Sequence, residues 1–385
     1  MFDIKLLKNI DWLTILVVLA LICIGLVSIA NIMAVPFDGQ EQSFGDYYAK
    51  LNLQYVKKQI VNFMVGVAAF LVFIVLDYQL IRSLCKYVFY ASVAALLVLL
   101  AAAKTTRGIQ GWFIISQLDR AIQPAELSKI SIILMLANIV AEDMDKNDGR
   151  LHSFKAIVMA VAACIVPSML VMLQPDFGTA FVYICIMVFV FFVARIGWAY
   201  IATAAGVVAA AFPAAYFLVM SADQRKRIDV FLDPSLDPLD SGYNVSQSKI
   251  AIGSGRLWGK GFFSSGTLAQ LRFVPERHTD FIFAGIVEGI GFVGGTVIIL
   301  LYFLLIFRWL WIALKSRDNF GICIVVGVMG MLLAHVFENI GMTIGLMPVT
   351  GIPLPFISYG GSNLLTNMIG VALVENVWMR RPQRR

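Results

Sequence analysis

Between Phe281 and Phe307 the chain runs for 27 residues with a single charge, Glu288. At about 1.5 Å per residue such a run makes a helix of roughly 40 Å, longer than the roughly 30 Å hydrocarbon core of a bilayer, so it predicts a membrane-crossing helix. Nine further runs share its character: 12–35, 59–76, 87–103, 124–141, 156–173, 177–194, 196–220, 319–346 and 356–374. The first, at 24 residues, exceeds the apolar core of a signal peptide and should stay in the membrane. With 60% hydrophobic and 14% charged residues, a soluble domain is excluded. The expected fold is therefore all-α, a polytopic integral membrane protein of ten transmembrane helices, residues 1–385 forming one integral domain.

Ten spans place both termini on one side, and basic residues in the short loops choose which. The terminal side carries fifteen Lys or Arg, from Lys5 and Lys8 to Arg384 and Arg385, against six in the short loops of the other side. Eight more lie in the long loop 221–280, which translocates regardless of charge. Both termini are expected in the cytoplasm, and the long loop between helices 7 and 8 outside it. The net charge of +6 has no nucleic-acid module around it, so no nucleic-acid partner is expected. The five cysteines lie in or beside apolar runs and read as small core residues rather than a disulfide framework.

The long loop changes character at Tyr243. Before it stand Arg225-Lys226-Arg227 and a series of turn residues; after it five glycines from Gly253 to Gly266 alternate with Ile250, Ile252, Leu257, Trp258, Phe262 and Phe263. Aromatic content of that density predicts a segment folded back onto the bundle or the membrane interface, with glycines allowing the turns. The loop ends in Glu276-Arg277-His278-Thr279-Asp280. Asp280 fits equally a helix N-cap and, in such ionisable company, a reactive carboxylate. Glu288, eight residues on, is expected to bond a neighbouring helix, because ionisable groups inside a span are costly without a partner.

Four other places combine polar or irregular sequence with membrane depth. In Gln123-Pro-Ala-Glu126-Leu-Ser-Lys129, Pro124 suits the first helical position and Glu126 complements the helix dipole. Lys129 shares a face with Glu126 and is expected to snorkel outward, making an acidic–basic pair suited to an anionic group. Gln174-Pro-Asp176 reads as a turn. His335 and Glu338 have metal-ligand spacing but no third ligand, so an interhelical polar contact is expected and no metal site is assigned. Finally, 348–362 contains three prolines and a Gly-Gly pair, and non-helical backbone of this kind should line a cavity.

Pro348–Ser362 closely resembles the late-chain signature of the SEDS family (RodA, FtsW and SpoVE), and so do 123–129, Gln174–Thr179, Gly253-Ser-Gly with Gly259-Lys-Gly, and His278–Ala284. The Gly-Ile-Pro-Leu-Pro wording leans toward the RodA branch. Gly111, Glu338 and Asn363 depart from the usual pattern. The resemblance implies a peptidoglycan glycosyltransferase that polymerises lipid II into lipid-linked glycan at the outer face of the cytoplasmic membrane during elongation, partnered by a class B penicillin-binding protein. It implies Asp280 as general base. Arg107, Glu126, Lys129, Lys249, Arg272, Arg277, His278 and Ser358 are its candidate substrate-binding residues, with a divalent cation, magnesium or manganese, as candidate cofactor. The rival readings are a lipid II flippase and a noncatalytic scaffold of the wall-synthesis complex.

Overall fold

The computed structural model describes residues 8–35, 44–102, 111–115, 120–214, 216, 217, 220, 222–237, 241–264, 266–271, 273, 274 and 276–382. It is helical throughout, apart from one short antiparallel hairpin of β1 (Phe113–Ile115) and β2 (Arg120–Ile122) among the described residues. Helices follow the apolar runs, with the short polar α2 (Phe44–Lys50) between the first two: α1 (Trp12–Ile32), α3 (Leu53–Val75), α4 (Tyr78–Ala102), α5 (Pro124–Lys146), α6 (Phe154–Met172), α7 (Phe177–Val193) and α8 (Trp198–Ala214). After them come α9 (Ala222–Leu232), α10 (Ser241–Ser254), α11 (Ile282–Leu314), α12 (Asn319–Ile344) and α13 (Gly361–Met379). Among the described residues, seven of these are long and apolar enough to cross a membrane: α1, α3, α4, α5, α6, α11 and α12. Helices α7 and α8 are shorter apolar ones, and α13, at 19 residues, carries Asn363, Asn367, Glu375 and Asn376 inward.

Several boundaries differ from expectation. The fifth helix continues past Ala141 to Lys146, because Glu142 and Lys146 pair along its exposed last turn at 2.9 Å. The last span starts at Gly361 rather than Phe356, because Phe356 sits in the left-handed region at φ 65° and the chain through Gly360 is a turn. The long loop is itself built: α9, a 3₁₀ turn at Pro234–Leu236 and α10 lie inside it.

Helices α5 and α12 form the centre and are almost wholly buried, whereas α3 and α4 turn apolar side chains outward. Small residues allow this close approach: a Cβ on Gly327 of α12 would lie 2.9 Å from Ile133 of α5, and one on Gly330 would lie 2.9 Å from Phe189 of α7. Cys85, Cys164 and Cys323 are core residues as expected, while Cys23 faces outward.

Helix α11 is broken at Gly291, whose φ of 71° and ψ of −174° only glycine adopts readily. The break frees backbone groups, and the glycine-rich turn after α10 takes them up. Lys260 N and Gly261 N donate to the carbonyls of Glu288 and Gly289 at 3.0 and 2.9 Å, and Phe292 N and Val293 N donate to Arg256 and Leu257 at 2.8 and 3.1 Å. Gly259, at φ 80°, lies against the backbone of Gly289–Gly291, where any Cβ would collide.

Candidate functional site

Helix α12 ends on left-handed Gly345, and the chain then crosses the bundle without helix to Gly361. Irregular backbone among membrane helices needs every polar group satisfied within the protein. Here Tyr302 Oη donates to Pro355 O at 2.5 Å, Asn339 Nδ2 to Ile352 O at 2.7 Å, and Gln59 Nε2 to Ser358 O at 3.1 Å. Ile352, Leu354, Phe356 and Ile357 are buried in the core.

This segment and Asn339 of α12 together hold the end of the long loop by three successive carbonyls. Tyr359 N donates to His278 O at 3.0 Å, Ser358 Oγ to Thr279 O at 2.7 Å, and Asn339 Nδ2 to Asp280 O at 2.8 Å. The backbone carrying Asp280 is thus fixed on both sides, while its side chain is half-buried and stands over Gly351, where a Cβ would come within 3.6 Å of Oδ2. The N-cap role weighed for Asp280 is not realised, because the cap of α11 is Phe281 and it uses no side chain.

Arg277 and His278 precede Asp280 in the chain, and Ser358 is bonded to the adjoining Thr279 carbonyl. Arg277 is buried. His278 lies edge-on to Tyr55 of α3 with ring centroids 5.0 Å apart, and 5.7 Å from Tyr359. The Ser358 hydroxyl is engaged inside the turn, donating to Thr279 O and accepting from Leu354 N at 2.8 Å.

Glu126 and Lys129 pair at 2.7 Å as their spacing implies, but Lys129 does not snorkel: its side chain is 0% exposed. The physical reason is a full set of partners. Its ammonium also meets His335 Nε2 of α12 at 2.8 Å, and Asn363 Nδ2 of α13 reaches Glu126 Oε2 at 3.3 Å and lies 3.3 Å from His335 Nδ1. Three helices are thereby joined by one polar network, the interhelical contact expected of His335. Glu338 is buried nearby with Oε2 unpartnered. A 3.4 Å contact from His335 Nδ1 to Pro353 O links this network to the segment that fixes Asp280.

The remaining candidates lie elsewhere. Lys249 is exposed on α10, where with Arg227, Val245, Gly345, Pro348 and Val349 it lines a small surface pocket. Arg107 and Arg272 fall outside the described residues. Glu288 does not bond a neighbouring span: it accepts from Leu268 N (2.8 Å), Ala269 N (3.1 Å) and Lys260 Nζ (2.7 Å), so it pins the long loop to α11. Asp176 closes its turn as expected, capping α7 through Thr179 N at 3.0 Å and accepting from Gln123 Nε2 at 2.8 Å, and burial raises its carboxyl above the ordinary range. Sequence reasoning missed Gln59, Tyr55, Tyr359 and Asn339. The two amides were visible as polar residues in apolar runs, but their partners lie 299 positions away for Gln59 and 59 away for Asn339.

Three comparisons place this architecture among known proteins. The FtsW/RodA/SpoVE family model, described as cell cycle protein, matches residues 11–383. The peptidoglycan glycosyltransferase MrdB of Escherichia coli K12 is 38% identical over 329 residues, covering 85% of this chain and 86% of its own. Stage V sporulation protein E of Bacillus subtilis is 34% identical over 371 residues, 95% of this chain. A solved structure described as coordinating polymerisation and crosslinking by a peptidoglycan synthase complex superposes with a TM-score of 0.78 at 26% identity, covering 97% of this chain and 99% of that one. The RodA structure of Thermus thermophilus superposes with a TM-score of 0.68 at 24% identity, covering 97% and 98%. The ordered motifs, the helical membrane fold and a match over nearly the whole chain agree: this protein is a member of the SEDS family of FtsW, RodA and SpoVE.

Proposed function

We propose that this protein is a peptidoglycan glycosyltransferase that polymerises lipid II, with Asp280 as the general base. The observation that carries the reading is the triple carbonyl clamp at His278, Thr279 and Asp280, which fixes the backbone of a half-buried carboxylate just before the start of α11. In the reaction the acceptor sugar hydroxyl gives its proton to the Asp280 carboxylate. Its oxygen bonds to the donor's anomeric carbon with inversion, and the bond from that carbon to the lipid pyrophosphate breaks. Fixed backbone matters because a base displaced by an ångström loses much of its advantage. Arg277 and His278, next to Asp280 in the chain, are candidates to meet sugar or pyrophosphate oxygens, and Arg107, Lys249 and Arg272 are further candidates for the pyrophosphates. The buried Glu126–Lys129 pair would act mainly by holding α5, α12 and α13 around the site.

A magnesium or manganese ion is a further candidate. Among the described residues no group of three or more His, Cys, Asp or Glu gathers to hold one. Such a hard cation commonly takes one or two carboxylates together with substrate phosphate oxygens and water, and pyrophosphate would supply most of its ligands here. The site would face the outside of the cytoplasmic membrane, with both termini in the cytoplasm, and a class B penicillin-binding protein would be the partner. The similar peptidoglycan synthase complex couples polymerisation with crosslinking, which supports that choice. The wording of residues 351–355 and the likeness to MrdB support the elongation branch.

The test is glycan synthesis from purified lipid II by the purified protein with and without such a partner. Asp280→Asn should insert and melt like the native protein yet make no polymer. Normal polymerisation by the variant would remove Asp280 from the mechanism, and lipid II transport without polymerisation by the native protein would favour a flippase instead.

A further inference from the structure

We propose that the turn Arg256–Lys260 is a membrane-docking element, seated at the polar–apolar boundary of the bilayer on the Asp280 side, with Leu257 and Trp258 in the lipid and Arg256 at the phosphates.

Two helices measure its height independently. At the opposite end of the molecule Arg308 of α11 binds Asp11, the cap of α1, at 2.7 and 2.9 Å, and stacks on Trp378 at 4.9 Å. A cation with exposed or half-exposed tryptophans nearby, Trp12, Trp311 and Trp378, is the composition of a membrane boundary. Along α11 the 16 residues from Arg308 back to Phe292, all on one side of the break at Gly291, correspond to about 24 Å of helix, and the Phe292 amide bonds the turn at Arg256 O. Along α1 the 20 residues from Asp11 to Asn31 give about 30 Å, and Asn31 Oδ1 accepts from Phe263 N at 2.7 Å, just beyond the turn. Both rulers approach the roughly 30 Å hydrocarbon thickness, which puts residues 256–263 at the second boundary.

The chemistry of the tip fits that height. Trp258 is 77% exposed and Leu257 60% exposed, although the turn around them is tightly held by backbone bonds to 288–293. Holding two large apolar side chains outward on a fixed turn is costly in water and favourable at a lipid boundary, where tryptophan is enriched. They continue the outward apolar stripe of α11 formed by Phe292, Val297, Leu300 and Phe303. Arg256 is exposed beside them, and its cation would meet lipid phosphate; Lys260 is instead engaged by Glu288. Asp280 precedes Glu288 by eight residues, on the side of the break at Gly291 away from Arg308, so the turn anchors the segment that carries it.

The experiment uses the full-length protein in vesicles containing lipids brominated at shallow or deep acyl positions, reading the fluorescence lost between native protein and Trp258→Phe. The Trp258 component should be quenched at least twofold more by the shallow label than by the deep one, and little by aqueous acrylamide. Strong acrylamide quenching without lipid quenching would overturn the proposal and favour a water-exposed or partner-covered tip, and stronger deep-label quenching would overturn the boundary placement. Arg256→Glu in anionic vesicles should cut the shallow-label quenching by about half, and unchanged quenching would remove Arg256 from the contact. Melting of both variants within a degree or two of the native protein shows that the turn itself persists.

Discussion

Lys129 shows what a single buried charge implies. Its ammonium is withdrawn from solvent and held by Glu126 at 2.7 Å and His335 at 2.8 Å. Breaking a buried pair leaves the remaining charge without compensation, at a cost of about 3–5 kcal/mol, whereas removing both partners relieves it. Lys129→Met should therefore lower the melting temperature and glycan synthesis together, and Glu126→Gln with Lys129→Met should recover most of the melting temperature. A native melting curve for Lys129→Met would sink the claim that the network holds the three helices. The pair itself was legible in the sequence because Glu126 and Lys129 are three apart on one helix. Its burial was not, since the histidine that completes it lies 206 positions away. Asp280 was legible as a polar end to a loop, and its family motif singled it out. The clamp that fixes it depends on carbonyl oxygens, which every residue possesses and no sequence pattern marks.

At the scale of elements, uncharged runs predicted helices well because lipid leaves backbone groups no other partner. The same reasoning could not locate the break in α11. Gly289, Gly291, Gly294 and Gly295 are all candidates, and only the approach of Gly259 from a distant loop selects Gly291. The loop and the broken helix are therefore one unit, closed by Glu288, whose carboxylate accepts two backbone amides and pairs with Lys260. Glu288→Ala should leave the amides of Leu268 and Ala269 without acceptors, at about 1–3 kcal/mol for the buried Ala269 and less for the part-buried Leu268. Hydrogen exchange would read this directly: amides 260, 261, 268 and 269 should exchange at least tenfold faster while those of α12 do not change. Equal protection in the variant would show that the turn is held by its backbone bonds alone.

On the scale of the whole molecule, the ends of the chain converge on one point. Asp11 caps α1 through Thr14, its carboxylate is bridged by Arg308 of α11, and its own amide donates to Glu375 of α13 at 2.9 Å. The first and last helices are thus tied to α11 at the end opposite Asp280, an arrangement that keeps the boundary ruler of α1 and α11 in register. Burial pushes the Asp11 carboxyl up, but hydrogen bonds and charge from Arg308 and Thr14 outweigh it and hold the group below the ordinary carboxylate range. A carboxyl whose pKa is lower in the folded state stabilises the fold above its unfolded value, near 4, and loses that contribution as pH falls toward the folded value. Melting temperatures of native protein and Asp11→Asn, compared in one detergent from pH 7 down to pH 3, should therefore differ at neutral pH with the native protein higher. The gap should begin to narrow as pH drops below about 4 and keep narrowing toward the lower folded value, because protonation removes the same charge that the substitution removes. A gap that stays constant to pH 3, or widens, would mean that Asp11 contributes through its cap geometry and not through its charge to Arg308.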